Sequence, residues 1–358
     1  MTRPSPSLAR GGFGLSRLPA RWHTPRMRTP LAIAALALAA PVLAQQAEPP
    51  TPASVVAAAP AADWRAIDPA DLLVMTLAPD AGGHPRQVTI QLIPPPFSQG
   101  WVGNLRTLAK AHWWDGTSVY RVVDNWVAQW GDGEDDETKA KPLPEGLRAV
   151  PESEYAIPLT DNIDEELLGP LQDSFEALTE GRHYWREGQG SWLRVGEYSD
   201  TDAFFKGWPI ASNEGEPTAW PIHCYASVGV ARDLSPDTGT GAELYAVIGQ
   251  APRQLDRNIA VVGRVIEGIE HLSTLPRGKG ANGVYDDPGL RVPIVSVRLG
   301  DALPAAEQPK FQYLASDSAS FAEYVRVRAN RRDAFYKVPA GGIDVCNVQV
   351  PIRRVPGA

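Results

Sequence analysis

Hydrophobic positions in this chain fall mostly into short runs separated by turn residues. Residues 72–77 (LLVMTL) and 88–93 (VTIQLI) read as strands, and APDAGGHP between them reads as a turn. Together they predict a hairpin, ended by the three prolines at 94–96. Residues 104–111 have helical spacing, with Leu105 and Leu108 on one face and Asn104 as candidate cap. Residues 119–130 (VYRVVDNWVAQW) read as one strand of apolar, β-branched and aromatic side chains, which Arg121 and Gln129 do not fit. The stretch 134–220 gives no clear period. It holds a helical candidate at 171–178, opened by Pro170, and tryptophans at 185, 192, 208 and 220. Strand patterns return at 223–230, 243–248, 259–265 and 294–299, with a short helix at 269–275. The tail beyond 300 predicts a helix at 321–328 and a strand at 345–350. Many short strands, few helices, and 34 prolines with 32 glycines predict an antiparallel barrel or sandwich. No internal repeat is visible.

The N-terminal end changes the picture. The first 44 residues hold six arginines, all before residue 29, and no acidic residue, and they include the apolar run 31–40, LAIAALALAA. Val42 and Ala44 supply small side chains before a cleavage point, which makes 1–44 a secretory signal peptide. The run is too short to span a membrane, although a retained anchor is the alternative. Met27 offers a second start. Residues 45–63, rich in Ala and Pro, read as a linker without a core. Removing six arginines takes the net charge from −8 to −14, which argues against nucleic acid and anionic lipid as partners. In an oxidising compartment the two cysteines, Cys224 and Cys346, could form one disulfide, and two separate buried thiols remain open.

Several motifs carry no chemistry. Gly278 to Gly283 fits GxGxxG, but Pro276 precedes it and no helix pattern follows, so it reads as a loop. The acidic run 132–137 lacks the alternation of a calcium loop. The six histidines, at 23, 84, 112, 183, 223 and 271, have no metal-ligand spacing, and there is no GxSxG. No cofactor is expected.

Four blocks, in order, resemble the cyclophilin-type peptidyl-prolyl cis-trans isomerases. Val119-Tyr120-Arg121-Val122 through Gln129-Trp130-Gly131-Asp132, preceded by Trp114-Asp115-Gly116-Thr117, resembles the family's signature strand. Gly229-Val230-Ala231-Arg232 is similar to S-M-A-R, and Ala242 to Ala246 stands where the family has S-Q-F-F-I. Leu255-Asp256 with Val261 to Val265 resembles the L-D-G…V-F-G-R-V block. The resemblance implies a mainly β fold: a closed eight-stranded antiparallel barrel with two capping helices. It would cover 64–300, with an insertion at about 134–220 and a C-terminal extension at 301–358.

The resemblance also implies a site and an activity. Arg121 would stabilise the twisted prolyl amide, and Gln129 would hold the peptide backbone. Trp126, Val127, Ala231, Glu243, Tyr245, Leu255 and Ile259 would contact the substrate. Glu243 stands where the family has glutamine, Val127 where it has methionine, Trp130 where it has glycine and Ile259 where it has histidine. Gln254 replaces an aromatic residue. Glu243 could orient Arg121 or neutralise it. The expectation is a monomeric periplasmic isomerase acting on proline-containing polypeptides. The rivals are a non-catalytic barrel that binds proline-containing segments and a structural envelope protein. The insertion either extends the rim of the site or packs on the barrel, and the tail carrying Cys346 would fold back onto Cys224.

Overall fold

Thr51 opens the first helix. Its hydroxyl accepts from the Ser54 amide, Ser54 Oγ accepts from the Thr51 amide, and Pro52 stands in the first turn. The computed structural model describes residues 48–134, 136, 138–159, 198–213 and 215–357, so the signal-peptide region, the helix expected at 171–178, Trp185 and Trp192 lie outside the described residues. Helix α1 (Pro52–Ala58) corrects the expectation of a linker without a core: Val55, Val56 and Ala59 pack against tail residues. Strand β1 (Trp64–Ile67) follows. Then come β2 (Leu72–Leu77) and β3 (Arg86–Leu92), the expected hairpin.

Helix α2 (Gln99–Lys110) starts earlier than its apolar spacing suggested. Asn104 is not its cap. It is buried mid-helix, where its amide donates to Arg148 O and Thr240 O and accepts from Arg148 N. The single strand expected at 119–130 is a hairpin, β4 (Ser118–Val122) and β5 (Val127–Gly131). Asp124 and Asn125 form the turn, and Asn125 takes the left-handed conformation that asparagine tolerates.

Strands β6 (Ile157–Pro158), β7 (Thr201–Phe205), β8 (Trp208–Asn213) and β9 (Thr218–Pro221) form a sheet in the order β6-β9-β8-β7. The strand expected at 223–230 begins only at β10 (Ser227–Val230). It is followed by β11 (Leu244–Val247), β12 (Val261–Glu267), the short helix α3 (Glu270–Ser273) and β13 (Val292–Leu299). The tail holds β14 (Phe311–Leu314), α4 (Ala319–Ala329) and β15 (Ile352–Arg354). The strand expected at 345–350 is instead a 3-10 turn, Val345–Asn347, capped by Asp344.

Eight strands close a barrel in the order β10-β11-β5-β4-β13-β2-β3-β12, every pair antiparallel. Its interior is filled by Leu73, Met75, Ile90, Val119, Ala128, Trp130, Leu244 and Val262. Trp101, Leu105 and Leu108 of α2 and Leu272 of α3 join the same core. Among the described residues no helix is long and apolar enough to cross a membrane.

The sheet of the insertion is buried on both faces. Ala203, Phe205, Ile210 and Ala219 join the barrel core, whereas Phe204, Ala211 and Trp220 pack with Phe321, Tyr324 and Val325 of α4. That two-sided burial explains the unreadable sequence, since a strand covered on both faces has no polar side to alternate with. Cys224 and Cys346 form a disulfide that ties the tail to the segment leading into β10.

Candidate active site

Sheet register places the candidate residues in one row across four strands. Arg121 on β4 faces Gln129 on β5, Gln129 faces Tyr245 on β11, and Tyr245 faces Gly229 on β10. The neighbours Ala128, Trp130, Leu244, Ala246, Val228 and Val230 fill the barrel. By the two-residue period, the row therefore lies on the barrel's outer surface. Trp130, in the place of a family glycine, is thus a core residue and leaves the site unobstructed.

Arg121 is held from two sides. Its Nη1 donates to Gln129 Oε1 at 2.7 Å and its Nε donates to Asn282 O at 2.6 Å. The guanidinium also sits 5.3 Å from the Trp126 ring centre. Asn282 belongs to the glycine-rich loop that fits GxGxxG, so that loop serves as a brace for the arginine. Partial burial lowers the pKa of Arg121 from its ordinary value.

A chain of hydrogen bonds leads away from the arginine. Gln129 Nε2 donates to Tyr120 Oη, Tyr120 donates to Glu243 Oε2 at 2.8 Å, and Glu243 Oε1 accepts from the Asp132 amide at 2.7 Å. Tyr120 takes part because the β4–β5 register shifts between Val119 and Arg121, a bulge that turns consecutive side chains toward Gln129. Burial, and next the Glu243 carboxylate, push the Tyr120 pKa well up, so its hydroxyl keeps the proton it donates. Burial also raises the Glu243 carboxyl above the usual range, against the pull of its bonds from Tyr120 and the Asp132 and Gly133 amides. No hydrogen bond or ion pair joins Glu243 to Arg121 directly. Among the described residues it is linked to the arginine through Tyr120 and Gln129. Gly131 permits this position, since a Cβ there would come within 2.2 Å of the carboxyl.

Beside the arginine lies a small apolar cluster of Trp126, Val127, Ala231, Tyr245, Leu255 and Ile259, completed by Val123 and Val247. The six residues singled out for prolyl contact are thus brought together. The seventh, Glu243, is not part of the apolar cluster, although its carbonyl accepts from the Ala231 amide at 2.9 Å. A depression of about 450 Å³ opens next to the cluster, lined by Tyr120, Gln129, Ala231 and Glu243, with Lys141 and Leu143 of the insertion on its rim. The indole N–H of Trp126 is buried and has no partner among the described residues. None of those residues forms a group of three or more His, Cys, Asp or Glu placed to hold a metal.

The family model for "Cyclophilin type peptidyl-prolyl cis-trans isomerase/CLD" matches residues 100–299. The chain belongs to the cyclophilin-type peptidyl-prolyl cis-trans isomerase family. Among solved structures it is similar to the cyclophilin AquaCyp293 from Hirschia baltica, at TM-score 0.53 and 18% identity over 86% of this chain and 98% of that one. That likeness is one of fold. No curated protein matches the chain. The closed barrel is the cyclophilin fold expected from the four sequence blocks. In this cyclophilin, sequence reading missed Tyr120 and Asn282 as members of the site. Tyr120 stands inside the quoted signature block, and its position beside Arg121 was the available signal. Asn282 acts through its backbone carbonyl, for which residue type gives no signal.

Proposed function

We propose that this chain is an exported peptidyl-prolyl cis-trans isomerase in which Arg121 stabilises the twisted prolyl amide. The observation that carries the reading is the arginine fixed by Gln129 and Asn282 at the border of an apolar cluster. An X–Pro bond turns over a barrier of about 18–20 kcal/mol and takes tens of seconds unaided. At the twisted stage amide resonance is lost and the prolyl nitrogen gains a basic lone pair. A cation aimed there binds the twisted state better than either planar state, which is what acceleration requires.

Gln129 and Asn282 occupy two of the five N–H groups of Arg121. The remaining donors are free to face a peptide. One charge-assisted hydrogen bond contributes about 1.5–3 kcal/mol, or roughly one to two powers of ten in rate. The apolar cluster supports the rest by gripping the proline ring and excluding water. No proton is transferred and no covalent bond is made.

The basic leader followed by an apolar run supports export, and the Cys224–Cys346 bond fits an oxidising compartment such as the periplasm. Substrates are proline-containing polypeptides, and the working unit is the monomer. The test is isomer exchange in a short X–Pro peptide, followed by NMR with the mature chain. Exchange above the uncatalysed rate supports the reading. Peptide binding with no gain in exchange would assign the chain to the non-catalytic alternative.

A further inference from the structure

Tyr245 carries a hydroxyl that contact with a proline ring does not use. Its ring lies across β10, where a Cβ on Gly229 would meet it at 2.3 Å. Its Oη is 3.0 Å from Nε2 of His223, a residue with no exposed surface. His223 Nδ1 lies 2.8 Å from Asp256 Oδ1, which also accepts from the His223 amide at 2.9 Å. With a carboxylate at Nδ1, that nitrogen carries the proton, and Nε2 accepts from the tyrosine. Asp256 Oδ2 accepts from Arg253 Nε at 2.6 Å. Arg253 then reaches both oxygens of Asp202, at 3.1 and 3.2 Å. The Ser199 hydroxyl completes the shell of Asp202.

This network joins distant regions. Asp202 lies on β7, in the insertion, and is fully buried. Arg253 opens the 3-10 turn Arg253–Leu255, so the pocket residue Leu255 lies two residues after Arg253 and directly before Asp256. Burying two carboxylates and a guanidinium is costly unless the geometry holds each against its partners. A phenyl ring at position 245, as the family resemblance implies, would need none of it.

We propose that His223, Asp256, Arg253 and Asp202 are positioning residues, a buried brace through which the sheet of the insertion fixes Tyr245 and Leu255 and thereby sets how tightly the site grips a prolyl residue. The inference rests on reading the apolar cluster as the prolyl-binding surface. It gives the insertion a role in substrate affinity that is separate from the rim formed by Lys141 and Leu143.

The test is a double-mutant cycle on an X–Pro peptide, with KM and kcat from exchange and peptide Kd from NMR titration. Tyr245→Phe and His223→Gln each remove the link and should raise KM and Kd roughly five-fold, with kcat little changed. The double variant should do no more than either single one. Asp202→Asn, nearly isosteric, should raise Kd about three-fold in wild type and have no further effect with Tyr245→Phe. It replaces His223→Gln in the cycle if that variant does not fold. Additive effects, or an Asp202→Asn protein with unchanged Kd, would overturn the brace. A wild type that binds the peptide without turnover would sink the isomerase reading while the Kd cycle still judges the brace, and a wild type that does not bind overturns both.

Discussion

The guanidinium of Arg121 and the ring of Tyr245 face each other across Gln129 and are held by different means. Arg121 sits on a hairpin and takes its main side-chain bond from Gln129, eight residues away. Its line of support continues through Tyr120, a hydroxyl, to a carboxylate that itself rests on backbone amides. Tyr245 is anchored instead through His223 to a buried Asp–Arg–Asp chain that ends in the insertion. The first centres on the β4–β5 hairpin, reaches out to Asn282 and Glu243, and carries one half-buried cation. The second is long-range and keeps all its charges inside. On the proposed reading one side presents its cation to the peptide while the other holds the Tyr245 ring in place, and perturbing either should leave a distinct signature.

The largest effect is expected from the covalent tie behind the Tyr245 side. Cys346 is bonded to Cys224, 122 positions away, and its Sγ lies 3.9 Å from the His223 carbonyl oxygen. A disulfide closing so long a loop contributes about 4–5 kcal/mol in the chain-entropy model. Cys346→Ser should lower Tm by about 10 °C in a calorimetric scan. If the two sides are independent, kcat falls little while KM rises. A loss confined to kcat would break the comparison.

Next comes Arg253→Met, which leaves Asp202 and Asp256 as buried carboxylates without their cation. Losing one partner of a buried pair costs roughly 3–5 kcal/mol, measurable by denaturant unfolding. Burial opposes the charge of Arg253, but Asp202 and Asp256 outweigh it and raise its pKa, so the guanidinium is charged in wild type.

The smallest effect concerns the Arg121 side and acid. Glu243 has its pKa raised by burial. A carboxyl raised in the folded state contributes stability that is fully present below the ordinary glutamate value and is lost as pH rises through the raised one. The stability of wild type relative to Glu243→Gln should therefore fall with rising pH above about 4.3 and be flat below it, in unfolding curves taken across that range. A difference that grows with pH would contradict the assignment.

Much of the Arg121 side was legible in the sequence, because Tyr120, Arg121 and Gln129 lie within one strand–turn–strand unit and the blocks follow in order, whereas Asn282 lies far along the chain. The turn itself was missed: Asp124-Asn125 is a turn signal, but Trp126 and Val127 continue the apolar run and mask it. The candidate pocket residues, spread from 126 to 259, were placed by resemblance and found together. The brace was not legible. His223 and Asp202 gave no local pattern, and their meeting depends on a sheet whose strands, apolar on both faces, had no readable period. Helix α1 was hidden for another reason: its Ala and Pro content suits a linker, and its Thr51–Ser54 cap is completed by packing on the tail, which local pattern does not show.

The central claim is that Arg121 acts on the twisted amide more than on the bound peptide. The most direct measurement is kcat and KM for an X–Pro peptide with wild type and Arg121→Ala, by NMR exchange at several peptide concentrations. The expected result is a fall of about 10- to 100-fold in kcat with KM nearly unchanged. A rise in KM with kcat intact would mean that the arginine only holds the substrate, and would contradict the account.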